Sequence, residues 1–322
     1  MKYRIEIKPP DIKGYRNGNT GVDYVHALDS GKPGATVMVQ ALTHGNEFSG
    51  AIALDYLFRE KVKPVKGKLI LAFANVPAFE RFDFDDPDRS RFIDEDYNRV
   101  WADEVIGGSR QSAELRRARE LRPFVDAADY LLDLHTMTEP CRPIMVCGML
   151  DKGAEFARRV GMPADLLIDT GHPAGLRMRD RGGFGDPESP RNALLIEAGQ
   201  HWEKSSVDVA IDTALRFLQV TGVVDEAFVK PRLRLALPKK QRVVRVTEPV
   251  TAATREFRFA KPWKGLEVIP KTGSLLATDG AREWRTPYDD CVMVMPGTAN
   301  LKPGNTTVRL GRYEKMGTAP IF

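Results

Sequence analysis

The sequence has no long apolar run and little cysteine. None of its 322 residues belongs to a stretch of roughly 18 consecutive apolar residues, the length that a membrane-spanning helix needs. The first ten residues, MKYRIEIKPP, alternate charged and apolar side chains and lack the apolar region of a signal peptide. The three cysteines, Cys141, Cys147 and Cys291, form no CxxC pair, and their odd number favours a reducing compartment. We therefore predict a cytoplasmic protein without a membrane span.

Charge of one sign is not in excess either. The 48 basic and 44 acidic residues leave a net charge of +4, which predicts no nucleic-acid partner. Any anionic ligand must then be bound by locally placed arginines. A hydrophobic fraction of 42% and a charged fraction of 29% are typical of a globular protein. The length exceeds that of one small domain, so we expect two domains.

The first two-thirds of the chain alternates apolar runs with amphipathic segments. The predicted strands are 35–41, 68–74, 130–134, 143–147 and 193–198, and the predicted helices are 47–59, 111–125 and 205–220. This alternation predicts an α/β fold with a mainly parallel, doubly wound mixed sheet.

The pattern changes after about Asp225, where frequent prolines divide the chain into short pieces. The pieces with strand character are 242–246, 256–259, 273–276, 291–295 and 306–310. They predict a small C-terminal all-β domain, with a boundary between Asp225 and Pro238. We assign residues 1–228 to the α/β domain and residues 229–322 to the β domain.

Three residues suggest a metal site at the carboxyl ends of the predicted strands, where open α/β sheets bind ligands. His44 and Glu47 follow the first strand and open a helix, with Gly45 relieving crowding at the turn. His135 directly follows the strand 130–134. Two histidines and one glutamate, with a fourth position open, form a catalytic zinc set. Alone, an HxxE pattern also arises by chance, and Glu47 would equally suit the first turn of a helix.

Glu197 is the candidate general base. It ends the apolar run ALLI, where a carboxylate is unexpected in a buried strand. At the carboxyl edge of the sheet it would face the same cleft, and partial burial would raise its pKa into the range useful for proton transfer. The alternative is a glutamate at a strand end that faces solvent.

The segment 91–101, RFIDEDYNRVW, has no clear helical or strand period and concentrates charged and aromatic residues. Arg91 or Arg99 could stabilise an oxyanion or form a bidentate pair with a carboxylate. A solvated charged loop explains the same pattern.

Together these residues resemble the succinylglutamate desuccinylase/aspartoacylase family, relatives of the zinc carboxypeptidases. The resemblance rests on five ordered motifs, which lie at 44–47 (HGNE), 75–79 (NVPAF), 91–101, 133–135 (DLH) and 197–199 (EAG). The C-terminal β region also resembles the small β domain of that family, so the resemblance extends over nearly the whole chain. It implies a sheet of zinc-carboxypeptidase type.

The resemblance also implies roles for individual residues. His44, Glu47 and His135 would bind one Zn²⁺ per chain, and Glu197 would be the general acid and base. Arg91 would polarise the scissile carbonyl. Asn98 and Arg99 would bind a carboxylate of the amino-acid moiety. The implied reaction is hydrolysis of a small N-acyl amino acid, and a homodimer is implied by the resemblance alone.

Two features depart from the family pattern. Tyr97 stands where the family usually has leucine in the motif Asp-Leu-Asn-Arg. The stretch 171–192 offers four arginines that do not align with the family's substrate-binding residues. The sequence therefore does not predict which acyl group the substrate carries. These arginines are Arg177, Arg179, Arg181 and Arg191. The glycines of this stretch suit either a mobile lid or a rigid surface loop.

Two other functions are compatible with the same residues. A metallocarboxypeptidase would use the same metal set on peptides. A metal-binding protein without catalysis would keep the fold, although the presence of ligands, base and arginine together speaks against it.

Overall fold

The computed structural model describes residues 3–299 and 301–314, and alternating strands and helices dominate its first two-thirds. The strands are β1 (Val25–Asp29), β2 (Thr36–Ala41), β3 (Lys68–Phe73), β4 (Tyr130–Met137), β5 (Ile144–Gly148), β6 (Asp165–Ile168), β7 (Asn192–Gln200), β8 (Arg242–Thr251), β9 (Arg258–Phe259), β10 (Val268–Ile269), β11 (Leu275–Asp279), β12 (Arg282–Arg285), β13 (Cys291–Val294) and β14 (Thr306–Tyr313).

The helices connect and cover these strands. They are α1 (Ser49–Arg59), α2 (Val76–Phe79), α3 (Asp103–Ile106), α4 (Ala113–Ala127), α5 (Asp151–Val160), α6 (Lys204–Val220) and α7 (Glu226–Val229). Short 3-10 helices lie at Lys13–Tyr15, Pro87–Ser90, Tyr97–Arg99, Met178–Asp180, Gly182–Phe184 and Lys230–Arg232. Within the described ranges, no helix is both long enough and apolar enough to cross a membrane.

The described strands form one large mixed sheet and one small sheet. The large sheet has the order β1-β3-β2-β4-β7-β5-β6-β8-β14-β13-β10, and the small sheet has the order β12-β11-β9. Pairing is parallel from β3 through β2 and β4 to β7, and again from β5 through β6 to β8. The β7–β5 contact and the outer strands are antiparallel. The predicted α/β fold is thus confirmed, with a mixed sheet whose parallel pairing is concentrated in these two groups.

Apolar side chains of the central strands alternate between two cores, which explains why helices cover both faces. In β2, Val37 and Val39 belong to one core, and Met38 belongs to the other. The first core includes Leu54 of α1 and further residues of α6, and the second includes Leu115 of α4. Continuous apolar strands are expected when both faces of a sheet are buried.

The C-terminal region has the predicted β character and extends the large sheet. β8 pairs in parallel with β6, placing Val243 opposite Leu166. A separate apolar cluster, which includes Phe257 and Leu276, packs between this extension and the small sheet. The large sheet continues into β8, which follows the predicted domain boundary between residues 228 and 229. The division of the chain into two domains at that boundary stays a prediction.

Candidate active site

His44 and Glu47 lie in the turn between β2 and α1. The backbone N–H of Glu47 donates to the carbonyl of His44 at 3.2 Å, and that of Gly45 donates to the carbonyl of Arg91 at 3.0 Å. A Cβ atom at Gly45 would stand 2.3 Å from the carbonyl oxygen of Ser90. The absence of a side chain at Gly45 therefore permits the loop that carries Arg91 to approach the turn closely.

His44, Glu47 and His135 form a buried cluster. Nδ1 of His44 lies 2.8 Å from Oε1 of Glu47, and Nδ1 of His135 lies 3.1 Å from Oε2 of the same carboxylate. One potential ligand atom from each residue lies within 4.8 Å of the others. Burial alone would raise the pKa of Glu47, but the two histidines hold it well below its usual value. Two imidazole nitrogens and a carboxylate converging in this way fit a single metal ion.

Each histidine of this cluster is also held by a second carboxylate. Nε2 of His135 lies 2.7 Å from Oδ2 of Asp133, and Nε2 of His44 lies 3.0 Å from Oδ1 of Asp96. Asp133 in turn accepts a hydrogen bond from the hydroxyl of Thr43 at 2.8 Å. Carboxylates bound to the outer nitrogen fix the orientation of metal-binding histidines. The arrangement directs both Nδ1 atoms towards Glu47.

Arg91 approaches the cluster from the loop before α4. Its Nη1 atom donates to Oε1 of Glu47 at 3.0 Å. The loop is held by the buried carboxylate of Glu114, which accepts the backbone N–H groups of residues 93–95 at 2.7, 3.1 and 3.2 Å. The predicted loop at 91–101 is therefore anchored by a buried side chain at the start of α4.

Glu197 lies on β7 opposite His135 of β4, in parallel register. Both strands are longer than predicted, because their pairing continues to Met137 and Gln200 after an irregularity. Within the described part of the chain, Oε2 of Glu197 is buried and has no hydrogen-bond partner. Burial raises the pKa of Glu197 to about 8. A carboxyl group with this pKa can accept and donate a proton near neutral pH.

All of the site residues proposed from the sequence line one cavity of about 280 Å³. They are His44, Glu47, Arg91, Asn98, Arg99, His135 and Glu197. The volume is close to the lower end of the range for small-molecule sites, which is roughly 300 Å³. The cavity therefore suits a small molecule.

Asn98 and Arg99 lie in the 3-10 helix next to the cluster. The Asp96 side chain caps this helix by accepting the backbone N–H of Asn98 at 2.9 Å. Oδ1 of Asn98 accepts the backbone N–H of Met178 at 3.1 Å, which leaves its amide NH₂ group as the donor. Burial, together with the neighbouring arginines, lowers the pKa of Arg99 to about 10. Both side chains offer donors suited to a carboxylate.

Tyr97, the departure from the family motif, packs away from this cavity. It is fully buried in the core beneath α4, where its ring meets that of Trp101 edge to face at 5.5 Å. The tyrosine therefore changes the packing beneath the 3-10 helix and does not line the cavity.

The four arginines of the segment 171–192 have different surroundings. Arg179, Arg181 and Arg191 donate to backbone carbonyl groups, and the first two also pair with aspartates. Only Arg177 lines the cavity. These contacts tie the segment to the sheet and to α4, which favours the rigid loop over the mobile lid.

His201 and Arg309 also line the cavity, and the sequence pattern did not select either of them. His201 lies between the hydroxyls of Thr136 and Thr138, and burial lowers its pKa to about 3. Arg309 reaches the cavity from β14. No local pattern marks Arg309, because only the pairing of β14 with β8 brings it to the site.

Comparison with known proteins agrees with this arrangement. Residues 33–218, more than half of the chain, match the family model of the succinylglutamate desuccinylase/aspartoacylase catalytic domain. No curated protein sequence matches the chain significantly.

Solved structures share the fold. Succinylglutamate desuccinylase from Vibrio cholerae aligns with a TM-score of 0.68 and 16% identity, over 90% of this chain and 85% of that chain. The succinylglutamate desuccinylase from Vibrio parahaemolyticus aligns with a TM-score of 0.67 and 15% identity, over 91% of this chain and 87% of that chain. The ectoine utilization protein EutE (DoeB) from Ruegeria pomeroyi aligns with a TM-score of 0.62 and 16% identity, over 89% of this chain and 88% of that chain. At such identities the likeness concerns the fold.

Proposed function

Because this chain belongs to the succinylglutamate desuccinylase/aspartoacylase family, we propose that it is a zinc-dependent hydrolase that cleaves the amide bond of N-acyl amino acids. The supporting observation is the convergence of a buried His-Glu-His cluster with Glu197 on the neighbouring strand. One oxygen of the Glu197 carboxyl group has no hydrogen-bond partner among the described residues. The cluster His44, Glu47 and His135 has the donor set of catalytic zinc sites.

Zinc bound by these residues would polarise the scissile carbonyl and acidify a water molecule. Glu197 then accepts a proton from the attacking water, whose oxygen forms the new bond to the carbonyl carbon. The same carboxyl group passes the proton to the departing nitrogen as the carbon–nitrogen bond breaks. The products are a carboxylate and an amino acid with a free amino group.

Arg91 has the position and charge to stabilise the oxyanion that develops on the carbonyl. Its guanidinium lies beside Glu47 and within electrostatic reach of Glu197. A fixed positive charge in a buried site stabilises a developing oxyanion more effectively than water does. Asn98 and Arg99 would bind the carboxylate of the amino-acid moiety.

The replacement Glu197→Gln tests the assignment of the general base. It should lower kcat at least about 10²-fold, since general acid–base catalysis contributes about 10²- to 10⁴-fold, while the zinc content stays near one per chain. Glu203→Gln, at the start of α6 and outside the cavity, is the matched control. Wild-type turnover in Glu197→Gln would contradict the proposed role.

The substrate class is tested with N-acetyl, N-succinyl and N-formyl amino acids beside short peptides. We expect the zinc-loaded protein to hydrolyse acyl amino acids in preference to peptides, because the cavity is small. Preferential release of C-terminal residues from peptides would instead identify a metallocarboxypeptidase.

A further inference from the structure

One wall of the active-site cavity is apolar. It is formed by residues of an apolar cluster that the central strands share with β8 and β13. The members that line the cavity are Met137, Val146, Leu167, Leu195 and Met295. The first four are buried and present only a small part of their surface to the cavity. Apolar surface that lines a cavity favours a ligand group that removes it from water.

Three of these residues form a row across the sheet. Val146 of β5 lies opposite Leu195 of β7 and opposite Leu167 of β6. Neighbouring strands are about 4.8 Å apart, so the row extends about 10 Å across the sheet. Leu195 precedes Glu197 by two residues, which places both side chains on one face of β7, about 7 Å apart along the strand. We call Val146, Leu167 and Leu195 the apolar floor.

The end of the apolar floor that is remote from Glu197 adjoins the segment that holds Asn98. Asp169 directly follows β6 and accepts hydrogen bonds from the terminal nitrogens of Arg177 at 2.5 and 2.9 Å. The next residue along the chain, Met178, donates its backbone N–H to Oδ1 of Asn98 at 3.1 Å. The apolar floor therefore lies between the catalytic carboxyl group and the residue proposed to bind the carboxylate of the amino-acid moiety.

An N-acyl amino acid would span the apolar floor. In the proposed function its nitrogen lies at Glu197 during proton transfer, and its carboxylate lies at Asn98 and Arg99. The side chain on the carbon between these two groups then contacts the floor. A polar side chain would lose water there without gaining a hydrogen bond from leucine or valine, which is unfavourable. An apolar side chain is favoured by the same transfer.

We propose that the apolar floor is a specificity subsite for the side chain of the amino-acid moiety. This proposal rests on the proposed function and narrows it to N-acyl derivatives of aliphatic and aromatic amino acids. The floor binds the side chain, while the His-Glu-His cluster, Arg91 and Glu197 carry the reacting groups.

Kinetics with a series of N-acetyl amino acids tests the proposal. From N-acetylglycine through N-acetylalanine to N-acetylnorvaline, kcat/KM should rise about three- to fourfold for each added carbon, as expected for burial of a methylene group. N-acetylleucine should exceed N-acetylasparagine, which has a similar shape, at least about tenfold. A flat series, or a preference for N-acetylasparagine or N-acetylaspartate, would overturn the proposal.

A second series distinguishes the side chain from the acyl chain as the occupant. The N-acetyl, N-propanoyl and N-butanoyl derivatives of alanine differ only in the acyl group. We expect kcat/KM to change less along this series than along the amino-acid series. A rise confined to the acyl series would place the acyl chain on the floor and would refute the assignment.

Leu167→Ala enlarges the floor at its end remote from Glu197. The ratio of kcat/KM for N-acetylnorleucine to that for N-acetylalanine should rise at least about threefold, because the longer side chain fills the space left by leucine. The ratio cancels any general loss of activity that accompanies a less stable protein. An unchanged ratio, with both substrates affected alike, would mean that Leu167 serves the fold alone and would contradict the proposal.

Leu166→Ala is the matched control. Leu166 is the preceding residue of β6, is equally buried and belongs to the core on the opposite face of the sheet, outside the cavity. Urea unfolding should show comparable losses of stability in the two variants. Only Leu167→Ala should change the ratio of the two substrates, and an equal change in Leu166→Ala would refute the subsite.

A binding measurement separates this proposal from the proposed function. If the zinc-loaded wild-type protein hydrolyses none of these amides, the proposed function fails, and calorimetry with leucine, norleucine and asparagine still tests the floor. Wild type should bind leucine at least about tenfold more tightly than asparagine. Leu167→Ala should shift the preference towards norleucine. Equal affinity of wild type for leucine and asparagine would refute the apolar subsite.

Discussion

Asp133 and His135 lie two residues apart on β4, and Oδ2 of Asp133 is 2.7 Å from Nε2 of His135. Alternate residues of a strand project from the same face, so this contact needs no turn. Burial alone would lower the pKa of His135, but Asp133 and Glu47 hold it well above its usual value.

Asp133→Asn should weaken zinc binding about 10- to 100-fold, the usual effect of removing the carboxylate behind a metal-binding histidine. The histidine would keep a neutral partner but lose the charge that increases its basicity. Competition with a chromophoric chelator measures the affinity. Asp208→Asn, in an exposed pair with Arg234, is the control and should bind zinc as wild type does. Unchanged affinity in Asp133→Asn would contradict this prediction.

Glu114→Gln should reduce both stability and turnover. The glutamine amide can accept fewer of the loop's N–H groups, so buried donors lose their partners at a cost of about 2–4 kcal/mol in the free energy of unfolding. Because that loop carries Arg91, kcat should fall while zinc still binds. Urea unfolding and steady-state kinetics measure the two effects. Glu120 lies on the same helix and is half exposed, so Glu120→Gln should change neither stability nor turnover by much.

The sequence was sufficient to locate the central strands and to bring residues together at one edge of the sheet. β2, β4 and β7 are neighbouring parallel strands, so side chains at their carboxyl ends must converge. That rule alone places His44, His135 and Glu197 in one cavity. Applying the rule requires the ends of the strands, and short apolar runs locate these strands directly in the sequence.

Contacts that depend on distant segments could not be predicted in this way. The sequence left open which of Arg177, Arg179 and Arg191 contacts substrate. In the structure, a backbone carbonyl of β5 binds Arg179 and one of α4 binds Arg191. Arg309 enters the cavity only because β14 pairs with β8, which itself pairs with β6. The anchoring of the Arg91 loop by Glu114 likewise requires the docked position of α4.

The pKa of Glu197 predicts a pH effect on the stability of protein freed of metal. Burial raises this pKa from 4.5 to about 8 in the folded state. Between these values the folded protein holds a proton that the unfolded chain has lost, so the contribution of Glu197 to stability falls as pH rises. Below the lower value the contribution is fully present.

Glu197→Gln should remove this pH dependence. The chelated variant should gain stability over chelated wild type as pH rises from 4 to 8, by up to a few kcal/mol. Urea unfolding of both proteins across this range measures the difference. A constant difference between the two proteins would show that the pKa of Glu197 is not raised in the folded state.

The ion pairs of Arg177 should stabilise the folded protein. Removing one member of a buried pair leaves an uncompensated charge, so Arg177→Met should lower the free energy of unfolding by about 3–5 kcal/mol near pH 7. Arg158→Met, exposed on α5, is the control and should have little effect. Burial alone would raise the pKa of Asp169, but Arg177 holds it below 3.8. The stabilisation is therefore present above that value and is lost as pH falls through the lowered pKa. Urea unfolding at pH 7 and pH 3 should show the larger loss at pH 7, and an equal loss at both would contradict this origin.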